Sequence, residues 1–261
     1  MRQVEPSVEL LAKPNIDWEA MRTYLDEVGG TSWADRVEEA ESPDAEDLLE
    51  FSGRMCYRSW EPGLNPNVSR VRTDSAQYLG NVVKSQHGSV LEHANFTFVL
   101  HNVSRVLTHE LIRHRAGSAF SQESLRYVRL SDIPFWFPEW AREDPELMER
   151  SLKVLDTLEE HQKWMAEHFE LDEEGTKFSH KKHMTSFMRR FAPEGLATGI
   201  VYTANLRSLR HVIEMRTAKG AEEEIRLIFN KIGEVMREEA PAVFADYEVV
   251  DGEWIPGTRK A

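Results

Sequence analysis

The chain has one cysteine among its 261 residues. Cys56, in the run GRMCYRS, has no partner for an intramolecular disulfide, and one thiol cannot make a cysteine metal cluster. No neighbour in sequence marks it as an activated nucleophile, so it reads as a small buried thiol in a helix. Long apolar runs are missing too. No stretch approaches the roughly 20 residues that a membrane-spanning helix needs. The opening MRQVEPSVELLAKPN lacks the basic-then-apolar order of a secretory leader. Together these absences give the expectation of a cytoplasmic protein. There is no internal repeat and no low-complexity tract. Neither standard Gly-rich phosphate loop is present, so a flavin or nicotinamide would have to be held without a Rossmann fold. His109-Glu110 is followed by Arg113 where a zinc protease has its second histidine, so that reading fails. His180 and His183 have no third ligand nearby in sequence and read as a solvated helix turn, and no metal is expected.

Positive charge is also scarce. The net charge of −13 disfavours nucleic acid and anionic membranes as partners. The cations that are present are unevenly spread. Between Val103 and Arg129 stand Arg105, Arg113, Arg115, Arg126 and Arg129 against only Glu110 and Glu123. A second basic island runs from Lys181 to Lys219, with Glu194 and Glu214 as its only acids. Two readings stay open at this point: ordinary solvated helix faces, or islands reserved for an anionic ligand.

Periodicity and punctuation predict helices over 16–28, 44–59, 70–85, 144–170, 175–190, 196–218 and 221–238. ANFTFVLHN, residues 94–102, alternates and is rich in aromatic and β-branched residues, so it reads as a strand. Residues 61–67 form a Pro-, Gly- and Asn-rich loop. Ser104 is expected to cap a helix ending near Arg115, with Gly117 as its stop. Residues 118–124 are expected as a polar loop and 125–130 as a short strand. The sum is a helix-rich α+β chain with few strands.

The chemistry concentrates at Arg113-His114-Arg115. Adjacent side chains on a helix diverge by about 100°, so the two arginines would serve different parts of a ligand or different subunits. Cations that merely complement a helix C-terminus are the plain alternative. Ser118, Ser121, Gln122, Ser124 and Arg126 follow. Hydroxyls, an amide and a guanidinium together suit a phosphate.

These residues carry a resemblance. HGSVLEHANFTFVLHNVSRVLTHELIRHRAGSAFSQESLRYVRL, from His87 to Leu130, resembles the flavin-dependent thymidylate synthases, whose signature is Arg-His-Arg, a spacer, then Ser-x-Arg-Tyr. MRRFAPEGLATGIVYTANLRSLRHVIEMR, from Met188 to Arg216, is similar to a second block of that family. The first 40 residues add little to the match. The resemblance implies a single domain over 1–261, with 1–40 a poorly matched N-terminal extension. Its fold would be helix-rich α+β with a small, mostly antiparallel sheet.

The implied activity is reductive C5-methylation of dUMP to dTMP, with FAD as cofactor and NADPH and methylenetetrahydrofolate as co-substrates. The implied assembly is a homotetramer with active sites between subunits. By resemblance the flavin would be contacted by Ser89 (with Glu92 in support), Arg113, His114, Arg115, Gln122, Asn205, Leu206, Arg207 and His211. The nucleotide would be contacted by Glu110, Leu111, Ile112 and Arg113, by Gln122, Glu123, Ser124, Leu125 and Arg126, and by Arg189 and Arg216. Arg216 would be the catalytic group. A fixed guanidinium there would stabilise negative charge on the uracil ring, which favours hydride addition. Hydride from reduced flavin requires no protein nucleophile, so Ser124 is assigned to positioning.

Two positions depart from the family pattern. The spacer before Ser124 has eight residues, Ala116 to Glu123, rather than seven, and Gly220 replaces a histidine common after the catalytic arginine. Two alternatives therefore accompany the dUMP reading. One is a relative that methylates UMP in nucleoside-antibiotic synthesis, and the other is a flavin- or nucleotide-binding paralogue without methyl transfer.

Overall fold

The computed structural model describes residues 1–130 and 132–259. In chain order the elements are β1 (Arg2–Gln3), β2 (Ser7–Ala12), α1 (Trp18–Val28), α2 (Thr31–Ala40), α3 (Asp44–Met55) and α4 (Ser75–Lys84). Then come β3 (Asn95–Ser104), α5 (Arg105–Leu111), β4 (Ser118–Gln122), β5 (Pro134–Phe135), α6 (Glu139–Arg142), α7 (Pro145–His168) and α8 (Phe178–Met188). The chain closes with β6 (Ala197–Asn205), α9 (Leu206–Thr217), α10 (Glu223–Glu239), α11 (Pro241–Phe244), β7 (Tyr247–Val250) and β8 (Glu253–Pro256). Four strands form a sheet in the order β2-β3-β6-β4. β1 pairs parallel with β5, and β7 pairs antiparallel with β8. The class is helix-rich α+β with a small antiparallel sheet.

The residues fall into two compact units. One comprises Met1–Glu9, Val99–Arg113 and Phe120–Val201; the other comprises Leu10–Phe98, His114–Ala119 and everything from Tyr202 onward. In the second unit, α1 begins where the Asp17 side chain accepts from Ala20 N and ends at Gly29, whose φ of 78° a side chain would disfavour. Leu25, Trp33, Ala34, Val37 and Trp60 form an apolar cluster there. Helix α10 buries Ile225, Ile228, Phe229, Ile232 and Met236, the i, i+3, i+4 stripe of an amphipathic helix. Gly233 is required within that stripe, because an added Cβ would come within 2.6 Å of the Trp254 ring.

In the first unit the long α7 starts with Asp144 as cap, its side chain accepting from Glu146 N and Leu147 N. Its buried Leu155 packs with Leu130, Ile133, Phe137 and Leu196.

Most expected elements are present with shifted ends, but five readings need correction. Residues 196–218 are not one helix: 197–205 is strand β6 and helix begins only at Leu206. Residues 118–122 are strand β4 rather than loop, and 125–130 is a turn rather than a strand. Helix α5 stops at Leu111, so Arg113, His114 and Arg115 lie beyond it and are not helical. Cys56 is exposed at the end of α3 rather than buried. Helix α2 and strands β2, β7 and β8 were not foreseen.

Candidate active site

Two strand-to-helix junctions of the same local design carry the candidate residues. Ser104 ends β3, and its Oγ accepts from Leu107 N at 3.0 Å, starting α5. Asn205 ends β6, and its Oδ1 accepts from Ser208 N at 2.9 Å, starting α9. Both are N-caps, which fix the direction in which the helix leaves its strand.

Around the second junction the structure gathers His114, Asn205, His211 and Arg216. Arg216 Nε donates to His114 Nε2 at 2.8 Å. An accepting Nε2 leaves the imidazole proton on Nδ1 and makes the ring neutral. Burial, then the charge of Arg216, then His211 push the His114 pKa down to about 4. The His211 ring meets that of His114 edge-on, with centroids 5.9 Å apart.

The backbone here is held closely. Ser208 Oγ donates to Ala116 O at 2.6 Å, and Asn205 N donates to Gly117 O at 3.1 Å. Gly117 has φ 65°, and a Cβ on it would lie 2.4 Å from Asn205 Nδ2 and from Ser208 Oγ. Only glycine fits that approach. Sequence alone marked Gly117 as a helix stop; its use is to let this loop lie against the start of α9. Arg207 Nη1 donates to Glu92 Oε1 at 2.5 Å. Arg115, Arg207 and Ser89 are exposed. Leu206 is fully buried, so only its backbone can face a ligand.

The remaining expected residues fall in the other unit. Glu123 is anchored to β6: its Oε2 accepts from Gly199 N at 3.1 Å and Thr198 Oγ1 at 3.4 Å, and its N donates to Gly199 O at 3.0 Å. This fastens the end of β4 and fixes where the following turn begins. In that turn Ser124 Oγ accepts from Arg126 N at 3.4 Å, and Thr185 Oγ1 donates to Arg126 O at 2.9 Å. Gln122 Nε2 and Arg126 Nε are buried donors without a hydrogen-bond partner among the described residues. Buried donors left in that state are costly, so a ligand acceptor suits both. Leu111 is fully buried, whereas Ile112 and Arg113 are exposed.

Arg189 lines a cleft of about 350 Å³ together with Arg105, Leu125, Ser186, Arg190 and Glu194. Sequence reasoning named Arg189 and Leu125 but missed Arg105, Ser186 and Arg190. The two basic islands were the only signal for them. Among the described residues no three His, Cys, Asp or Glu side chains converge as a metal ion would require. No helix among them is long and apolar enough to cross a membrane.

The donor set fits a flavin dinucleotide. Arg115 and Arg207 offer cations for a pyrophosphate, and the neutral His114 offers an uncharged ring face.

The family model described as "Thymidylate synthase complementing protein" matches residues 38–242. A flavin-dependent thymidylate synthase of Corynebacterium efficiens is 36% identical over 207 residues, covering 78% of this chain and 80% of the relative. The flavin-dependent thymidylate synthase of Mycolicibacterium gilvum is 33% identical over 249 residues, covering 95% and 89%. Among solved structures, a UMP/dUMP methylase, PolB from Streptomyces cacaoi, bound with 5-Br UMP, superposes with a TM-score of 0.62 at 15% identity. It covers 93% of this chain and 94% of its own, and at that identity the likeness is one of fold.

Proposed function

The chain belongs to the flavin-dependent thymidylate synthase family, and from that premise we propose that it methylates C5 of dUMP to give dTMP. FAD is the cofactor in this reading, with methylenetetrahydrofolate as carbon donor and NADPH as reductant. The working form is a cytoplasmic homotetramer with active sites between subunits.

The observation that carries the reading is the hydrogen bond from Arg216 to a neutral His114. A pyrimidine ring that accepts hydride gathers negative charge, and a fixed cation lowers the barrier most when it is oriented beforehand. His114 supplies that orientation. Its lone pair holds Nε of Arg216, and because the imidazole is uncharged it does not repel the guanidinium it holds. Flavin, when bound, supplies the hydride chemistry that no side chain of this protein can. His114, Arg115, Asn205, Arg207 and His211 hold it in this reading. Gln122 and Arg126 satisfy their buried donors on ligand oxygens. Arg189 takes the nucleotide's phosphate, and Ser124 orients the nucleotide through the turn it stabilises. Cys56, exposed at the end of a helix, has no part in the reaction.

The test is an anaerobic assay of FAD-loaded protein with NADPH and methylenetetrahydrofolate, comparing dUMP with UMP. The expected product is dTMP, with dUMP preferred. Preference for UMP would change the substrate and keep the reaction. Methylation of neither would overturn the proposal in favour of a protein that only binds flavin or nucleotide.

A further inference from the structure

Three arginines, Arg105, Arg189 and Arg190, line one cleft with Leu125, Ser186 and Glu194. Among the described residues none of the three has an ion pair, and none donates a side-chain hydrogen bond. In the same unit Arg2, Arg129, Arg142 and Arg150 each pair with a carboxylate. The one carboxylate on the cleft, Glu194, instead lies 3.5 Å from Nδ1 of His109. A chain of net charge −13 has ample acid to neutralise three clustered cations, and here it has not done so. Unneutralised like charges repel, and an anion with planar, bidentate acceptors relieves that repulsion.

The arrangement also fits a ligand larger than one phosphate. Arg189 and Arg190 are successive residues of a short 3-10 turn, Arg189–Phe191. Successive side chains on such a turn diverge by about 120°, so two arginines that line one cleft address different parts of what it holds. Its volume of about 350 Å³ exceeds what one phosphoryl group fills and falls within the range of small-molecule sites. Arg190 and Ser186 also line the adjoining groove of about 480 Å³ walled by Phe169, Met184 and Phe187. A group bound beyond the first phosphate therefore has Arg190 beside it and open space behind.

We propose that this cleft binds a diphosphate group, with Arg190 and Ser186 forming a second phosphoryl position next to the one that Arg189 provides for a nucleoside monophosphate. That the diphosphate belongs to a pyrimidine nucleotide rests on the function proposed above. The second position rests on the cleft alone.

The experiment is calorimetric titration of FAD-loaded protein with dUMP, dUDP and inorganic pyrophosphate, for the wild type, Arg190→Gln and Arg190→Lys. In the wild type dUDP binds at least as tightly as dUMP, and pyrophosphate competes with both. Arg190→Gln weakens dUDP and pyrophosphate about tenfold and dUMP about threefold, as loss of one charge-assisted contact would. The lysine variant, which keeps the charge but loses the planar fork, falls between. Because Arg190 is exposed, the melting temperature stays as in the wild type. If dUDP binds more than tenfold more weakly than dUMP in the wild type, the proposal is overturned. Equal weakening of dUMP and dUDP by Arg190→Gln overturns it as well. If neither nucleotide binds while pyrophosphate binds through Arg190, the diphosphate site stands and the pyrimidine-nucleotide reading falls.

Discussion

Arg54 and Arg210 lie in the interior of one unit, and Arg105, Arg189 and Arg190 line a cleft in the other. The side chains are chemically identical, but their surroundings are opposite. Arg54 is fully buried: its Nε donates to Glu50 Oε1 at 2.7 Å, its Nη1 to Ser59 O at 2.6 Å and its Nη2 to Arg72 O at 2.6 Å. Its guanidinium also sits 4.3 Å from the centre of the Tyr78 ring. Arg210 is held by both carboxylate oxygens of Asp246, at 2.8 and 3.0 Å, and donates to Val243 O and Thr258 O. Every face of these two groups is used internally, which is what burial of a permanent charge demands. Among the described residues the cleft arginines have no such partners, and they are not deeply buried. Pairing, rather than residue type, separates an arginine that builds the fold from one that awaits a ligand. Arg216 is intermediate: half-buried, with its Nε held by the neutral acceptor His114.

The contrast can be broken at its structural end first. Arg54→Met takes from Glu50, which is also fully buried, the cation 2.6 Å away and leaves it only Arg36, at 4.0 Å. Breaking such a pair costs about 3–5 kcal/mol, or a fall of roughly 10 °C in melting temperature for a chain of this size. Thermal unfolding followed by circular dichroism checks this. Adding Glu50→Gln should recover part of the loss, because the stranded charge is removed. A fall of less than about 2 °C would show that Arg54 is not the structural arginine its contacts imply.

Arg216→Ala probes the functional end. Turnover should fall by about 10²–10³-fold, the usual cost of removing a group that meets transition-state charge. The protein should keep its flavin absorbance and its melting temperature. Loss of flavin along with turnover would make Arg216 a cofactor ligand rather than a partner of the pyrimidine.

These contrasts were only partly legible in the sequence. Arg113-His114-Arg115 and Arg216 stand out as motif residues, yet the contact between His114 and Arg216 spans 102 residues and follows from no local pattern. Ser104 was readable as a cap because a strand pattern precedes it and a helical period follows. Asn205 plays the same part, but ATGIVYTAN was read as the start of a helix. Its apolar residues satisfy either period over so short a run. Thr198, Ile200, Val201 and Thr203, four β-branched residues in nine, were the available signal for a strand. Strand β4 was hidden for a different reason. SAFSQ is polar, its exposure alternates, and it sits at the edge of its sheet. Its pairing is secured from afar by Glu123 on Gly199, so local composition shows only a loop. Arg105 and Arg190 were visible as part of two basic islands, but only folding shows that they share a cleft.

His114→Phe removes the acceptor for Arg216 and should lower kcat about tenfold, the worth of one hydrogen bond to a charged group. Glutamine at the same position presents an acceptor oxygen and should recover most of the rate. The wild-type pH profile sharpens the point. With its pKa near 4, His114 remains neutral where a solvent-exposed histidine, at about 6.5, is already half protonated. Activity governed by this contact should therefore persist down to about pH 5. An acid limb centred near 6.5 that is unchanged in His114→Gln would remove His114 from the account.

The smallest expected effect concerns a carboxylate that, unlike Glu50, has no cation to hold it among the described residues. Asp47 is 2% exposed, and burial raises its pKa to about 7, with Ser42 opposing through a hydrogen bond and Glu50, Asp44 and Glu46 adding repulsion. Ser42 Oγ donates to Asp47 Oδ1 at 2.6 Å. The unfolded group titrates near 3.8, so between that value and about 7 the folded state binds the extra proton. Stability contributed by this site is accordingly complete below the unfolded pKa and declines as pH rises toward neutrality. Asp47→Asn keeps an acceptor for Ser42 and removes the charge. It should raise the melting temperature at pH 8 by about 2–4 °C, equivalent to roughly 1 kcal/mol, and by distinctly less at pH 5, where only part of the window from 3.8 to about 7 has been crossed. Equal gains at both pH values would mean that the substitution acts through packing. A lower melting temperature at pH 8 would mean that the charged carboxylate is satisfied in the fold, and that a buried acid in this unit does not need an arginine as Glu50 does.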